Sequence, residues 1–142
     1  MSDVLFTYGT LQIPEVLEAV AGRVLSSVEA KVPGFAQFRF TDRIYPGMVA
    51  RKGGVTEGRV YFDVSARAWY LLDSFEDPIY ERQVVEVHLA DSARVHAQAY
   101  VLPSAQAHLL SSEPWTIEWF RAQHLERYVS RCQMFFHRMN QA

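Results

Sequence analysis

At 142 residues, 49% of them hydrophobic, the chain can bury a core within one domain spanning residues 1–142 and is too apolar to stay disordered. Lys and Arg number 14 against 16 Asp and Glu, a formal net charge of −2, so no broad electrostatic pull toward nucleic acid or an anionic membrane is expected, and a small molecule or another protein is the expected partner. One cysteine, Cys132, excludes an internal disulfide and a metal site built on a Cys pair.

Val4 to Tyr8 reads as a short buried strand stopped by Gly9. A strand running into a glycine turn and then a helix start is a common way to aim backbone N–H groups at an anion, although most such junctions only reverse the chain. Pro14 suits a first helical turn, Val16, Leu17 and Val20 follow at helical spacing, and Gly22 terminates the helix. Val24 to Val32 alternates with period two and reads as a half-buried strand, ended by a Pro33-Gly34 turn. A further strand covers Phe35 to Phe40; Tyr45-Pro46-Gly47 breaks it, Met48-Val49-Ala50 resumes it, and Gly53-Gly54 makes the next reversal. Val55 to Phe62 is strand-like again, with Gly58 as a bulge.

Ser65 is a good N-cap for a helix over 66–75, carried by Ala68, Leu71, Leu72 and Phe75, and Pro78 forbids its continuation. Tyr80 to Leu89 and Val95 to Leu102 read as antiparallel strands around an Asp91-Ser92 turn. Residues 103–114 read as a loop with one helical turn near 105–110. Thr116 caps a last helix whose apolar face, Ile117, Phe120, Leu125, Tyr128, Val129, Cys132, Phe135 and Phe136, runs about five turns. The stripe, Cys132 included, reads as core packing. The sum is an α+β chain: about six or seven short strands in a curled sheet or barrel, flanking helices and a long C-terminal helix.

Glu76 stands out chemically. It follows an apolar helix end among Phe75, Ile79 and Tyr80, where lost hydration raises a carboxyl's pKa, and Asp73 and Asp77 raise it further if they stay close and ionised. A carboxyl so poised can both accept and donate a proton. The plainer reading is a solvated helix-to-strand turn, and a local hydrogen-bonding role suits Asp73 better than catalysis.

Tyr8-Gly9-Thr10-Leu11, Tyr45-Pro46-Gly47 and Leu72-Asp73-Ser74-Phe75-Glu76 followed by Tyr80-Glu81-Arg82 resemble, in order and rough spacing, the pattern of the gamma-glutamylcyclotransferase-like superfamily. The segment from Trp115 to Phe120 with His124 to Val129 is similar to the helix of its plant avirulence-induced-gene branch. The resemblance implies a compact mixed β-barrel with flanking helices and a cavity at one end. It also implies cyclisation of a γ-glutamyl amide to 5-oxoproline and a free amine, without cofactor or metal. By the same resemblance Glu76 is the acid/base; Tyr8, Gly9, Thr10 and Leu11, with Gln12 and Ile13 after them, hold the glutamyl head; Tyr80 lies near the pocket and Tyr100 matches a pocket tyrosine of some members.

The remaining chemistry-bearing residues point elsewhere. The five histidines, His88, His96, His108, His124 and His137, lack metal-ligand spacing, and Ser74 beside Asp73 has no histidine nearby for a triad. Trp115 and Trp119 read as packing, and Arg39, Arg43 and Arg51 as surface groups. A non-catalytic domain that keeps the pocket for an amino-acid-like ligand or a partner protein is the alternative to an enzyme. No apolar run approaches the ~20 residues that span a bilayer, and no basic N-terminal segment leads into one, so no membrane is expected and the cytoplasm is the expected location. Monomer and homodimer both fit the apolar last helix.

Overall fold

A computed structural model of the chain describes residues 3–141. Among them, five strands close into a barrel: β1 (Leu5–Thr7), β2 (Ser27–Arg39), β3 (Pro46–Tyr61), β4 (Glu81–Leu89) and β5 (Arg94–Val101). The order around the ring is β1-β3-β2-β4-β5, antiparallel except where β1 meets β5 in parallel. Helices α1 (Pro14–Ala21), α2 (Ala66–Phe75), α3 (Ile117–Gln123) and α4 (Leu125–Gln141) lie outside it. The α+β class and the barrel match the sequence reading; the strand number does not.

The difference lies in β2 and β3. Pro33-Gly34 and Gly53-Gly54, expected to reverse the chain, are instead facing irregularities in one long hairpin. Pro33 pairs with Val55 and Phe35 with Ala50, so the register shifts between them and Gly34 lies opposite residues 51–54. Gly34 and Gly53 take φ of +86° and +79°, backbone that a side chain disfavours, and both strands bend there without ending. The true reversal covers residues 40–45. Gly58 is likewise no bulge, since Ala30↔Gly58 stays in register; a Cβ there would stand 1.8 Å from the Thr7 carbonyl oxygen. It is glycine because β1 passes so close.

The expected single C-terminal helix is divided at His124, whose φ of −135° breaks the helical run. Packing explains the break. The His124 ring sits 4.9 Å from Trp119, and the change of direction brings Phe120 and Tyr128 edge to face at 5.1 Å. α4 then crosses the end of α1, where Gly22, at φ +79°, leaves room for the Phe136 ring. α2 begins and ends as expected: the Ser65 Oγ accepts from the Ala68 N–H at 3.1 Å, and the chain turns extended at Glu76, two residues before Pro78.

Alternation along the strands separates the two larger buried clusters, beside a small third of Phe40, Val49 and Leu102. Phe6, Val32, Met48, Val60, Val87, Ala97 and Ala99 fill the barrel interior. Leu5, Leu17, Val20, Leu72, Phe120 and Cys132 pack between barrel and helices. Each large side chain so buried contributes roughly 1.5–3 kcal/mol.

Candidate active site

A cavity of about 400 Å³ opens between the turn after β1, the start of β3, the end of α2 and one face of α4. The turn is shaped by packing: a Cβ on Gly9 would stand 2.8 Å from the Pro46 ring. Thr10 opens a short 3₁₀ turn, closed by Gln12 N–H to Gly9 carbonyl at 3.1 Å and Ile13 N–H to Thr10 carbonyl at 3.1 Å. The N–H groups of Thr10 and Leu11, first in that turn, therefore have no acceptor within it.

Five tyrosines, Tyr8, Tyr45, Tyr80, Tyr100 and Tyr128, line the cavity. Their hydroxyls are held in place. Tyr8 donates to the Tyr100 carbonyl at 2.6 Å, Tyr80 to the Pro46 carbonyl at 2.5 Å, Tyr100 to the Asp73 carboxylate at 2.7 Å and Tyr45 to the Asp77 carboxylate at 2.6 Å, while Tyr128 accepts from Thr10 Oγ1 at 3.3 Å. Burial, aided by nearby carboxylates, raises all five above the ordinary phenol value, Tyr45 to about 12, so each is a neutral hydroxyl at physiological pH.

Three acidic groups sit close in sequence and differ in partners. Asp73 takes the Tyr100 hydroxyl and two bonds from Arg82, at 3.1 and 2.9 Å. Burial alone would raise Asp77, but the Tyr45 hydroxyl, the Ile79 N–H and Arg43 outweigh it and hold the carboxyl below its usual range. Glu76, between them, has no side-chain hydrogen bond to any described residue. Burial first, then the charge of Asp77, then that of Asp73, push it up to about 8.

Of the residues expected at the site, Tyr8, Gly9, Thr10, Leu11, Glu76, Tyr80 and Tyr100 are brought together in the cavity wall. Gln12 and Ile13 are not in the wall. Gln12 folds back to donate from Nε2 to the Tyr8 carbonyl at 2.9 Å, and Ile13 is buried in the helix-facing core. The wall also holds Asp77, expected as a charged neighbour of Glu76, and Tyr45, Tyr128, Arg131 and Cys132, for which sequence reasoning gave no site role. Tyr45 could have been found in the Tyr45-Pro46-Gly47 motif. Tyr128 and Cys132 are indistinguishable by period from the rest of an apolar stripe. Cys132 is buried in the core as expected, its thiol pushed up to about 12 by burial. Asp73 has a hydrogen-bonding role, but with Tyr100 and Arg82 on other elements and not with its local backbone as expected. Arg39 lies over Trp119 at 4.0 Å, Arg51 over Phe38 at 5.3 Å, and Trp115 is buried with its indole N–H on the Ile44 carbonyl at 2.8 Å. Among the described residues, no three His, Cys, Asp or Glu side chains are grouped as a metal site would need, and no helix is long and apolar enough to cross a membrane.

Comparison with known proteins gives the chain relatives in sequence and in fold. The model of the family described as gamma-glutamyl cyclotransferase, AIG2-like, matches residues 5–117. AIG2-like protein C of Arabidopsis thaliana is 35% identical over 132 residues, covering 92% of this chain and 76% of the relative. A solution structure of another Arabidopsis thaliana protein superposes with a TM-score of 0.70 at 28% identity, over 90% of this chain and 86% of that one. A solved gamma-glutamyl cyclotransferase shares the fold, with a TM-score of 0.64 at 15% identity over 72% of this chain and 67% of its own.

Proposed function

For a chain that belongs to the gamma-glutamyl cyclotransferase, AIG2-like family, we propose the reaction its cavity supports best: cyclisation of a γ-glutamyl amine or peptide to 5-oxoproline and the free amine. One observation carries the reading. In a cavity whose neighbouring carboxylates are all tied to partners, Glu76 alone is unpartnered and poised near neutrality, at about 8.

The substrate's α-ammonium must lose a proton before its nitrogen can attack the side-chain amide carbonyl. The Glu76 carboxylate takes that proton. The new C–N bond closes a five-membered ring and leaves a tetrahedral oxyanion. The protonated Glu76 carboxyl then passes its proton to the departing nitrogen, otherwise a poor leaving group, as the old C–N bond breaks. A second proton follows the same route from ring nitrogen to amine, so two protons leave one nitrogen and two reach the other, and Glu76 ends as it began. No co-reactant enters the balance. Glu76 titrates near the pH at which the enzyme would work, which lets one group serve both directions.

The unpartnered N–H groups of Thr10 and Leu11 are suited to hold either the oxyanion or the glutamyl α-carboxylate. The fixed tyrosine hydroxyls shape the pocket around the compact ring-closing conformer. Because the attack is intramolecular, holding that conformer supplies much of the rate.

The test is 5-oxoproline release from a panel of γ-glutamyl amines, dipeptides and glutathione. Wild type is expected to release it, and Glu76→Gln, folded by circular dichroism, to be slower by about 10²–10⁴-fold. Full activity in the variant would remove the role of Glu76. Ligand binding without release from any substrate would favour a non-catalytic binding domain.

A further inference from the structure

Arg131 is the one cation among the described residues of the cavity wall, and the mechanism above does not use it. It leaves α4 three residues after Tyr128 and next to Cys132, both in the wall. Those two are buried and Arg131 is exposed, which places the guanidinium where the cavity meets solvent. It makes no ion pair or hydrogen bond with a described residue. The wall's two carboxyls do not claim it: Asp77 is occupied by Arg43 and Tyr45, and Glu76 makes no ion pair with a described residue. Arg127, one helical turn earlier on the same side of α4, is also exposed and without an ion pair to a described residue, so it does not offset the charge of Arg131. A free guanidinium at a pocket mouth is suited to a carboxylate, which it can grip with two parallel N–H bonds.

The reaction proposed above fixes which part of a substrate reaches that rim. The amide to be broken must lie at Glu76, and the glutamyl portion is folded tightly around it for ring closure. The amine portion must then lead outward. Resting on that reading of the reaction, we propose that Arg131 selects γ-glutamyl amides whose leaving amine bears a carboxylate, that is γ-glutamyl amino acids and peptides, over those with neutral or cationic amines.

Two substrates that differ by the carboxylate alone, γ-glutamyl-alanine and γ-glutamyl-ethylamide, test this by the ratio of their kcat/KM values. Wild type is expected to favour the alanine compound about tenfold, mainly through KM, and to lose part of that preference as ionic strength rises. Arg131→Gln is expected to bring the ratio near one, Arg131→Lys to keep much of it, and Arg131→Glu to invert it; all three should fold, because the side chain is exposed. A wild-type ratio near one overturns the proposal. So does a fall of both substrates together in Arg131→Gln with the ratio unchanged, which would mean that Arg131 grips the glutamyl α-carboxylate. Either result leaves the cyclisation standing. No release of 5-oxoproline from either substrate by wild type overturns this selectivity, and no release from the wider panel removes the cyclisation as well.

Discussion

The barrel interior and the cavity beside it each hold a polar group without a partner, and the two are not equivalent. In the barrel it is Thr56, directly opposite Val32 in the β2–β3 pairing, with its hydroxyl buried and unbonded. In the cavity it is Glu76. The Thr56 hydroxyl is neutral at every pH, and its surroundings are apolar side chains that offer nothing to move or exchange; it is a fixed local cost. Glu76 can relieve its situation by taking a proton, and its neighbours raise the demand for one. An unpartnered buried group therefore points to chemistry only where it can change state and where a ligand can reach it. The cavity meets both conditions and the barrel neither.

The frame that keeps the two regions apart should fail first. Gly58 lies where β1 passes beside β3, and Gly58→Ala would drive a Cβ into the Thr7 carbonyl oxygen, which stands 1.8 Å from the ideal position. β1 and the turn it feeds into the cavity must move, so we expect a loss of more than about 3 kcal/mol in chemical denaturation, with loss of turnover. A variant of wild-type stability would mean that the barrel wall yields and does not fix the cavity.

Two conservative substitutions then sharpen the contrast between the unpartnered groups. Glu76 has a folded pKa, about 8, above its ordinary 4.5. The protonated form is the one the folded state favours, so stability is greatest below the unfolded value and falls as pH rises through the folded one. Glu76→Gln removes that slope. Relative to wild type it should match at pH 4 and gain on the order of 2 kcal/mol by pH 8 to 9, read as the difference between two pH series of denaturation midpoints. Thr56→Val should gain about 1 kcal/mol with no pH dependence. A pH-dependent gain in the threonine variant, or a flat one in the glutamate variant, would erase the distinction.

The Glu76 side of this contrast was legible before the structure and the Thr56 side was not, and the failures have a common cause. Local chemistry read well: Ser65 at its cap, Gly22 past its helix, Glu76 at an apolar helix end with acidic neighbours. What failed needed knowledge of what lies across space. Gly34 and Gly53 look like turns because glycine breaks a period, yet the same positive φ serves a bend when the partner strand bends with it. His124 breaks a helix that its own sequence would continue, because Trp119, Phe120 and Tyr128 pack better across the break. Tyr128 and Arg131 became cavity residues only through the direction that break gives α4. Gln12 and Ile13 were placed at the site with the turn by the resemblance, and one hydrogen bond and one buried side chain keep them out of the wall.

The smallest expected effect isolates how the cavity holds Glu76 ready. Asp77 supplies the larger of the two charge contributions that raise Glu76, after burial, and Asp73 the smaller. Asp77 can do so because Tyr45, Ile79 and Arg43 keep it ionised. Asp77→Asn removes one negative charge beside Glu76 and leaves Arg43 with Asp42 as its one carboxylate partner among the described residues, and both changes favour the Glu76 carboxylate. Its pKa must fall. The rise of kcat/KM with pH, which tracks formation of that carboxylate in the free enzyme, should therefore move to lower pH. The move should be under about one unit, because burial is the largest cause and stays, and it should shrink in high salt. Asp73→Asn should move it the same way by less. If burial were the whole account neither variant would move the profile, and if Asp77 mattered only as an anchor for Tyr45 its loss would lower the plateau and leave the midpoint where it was.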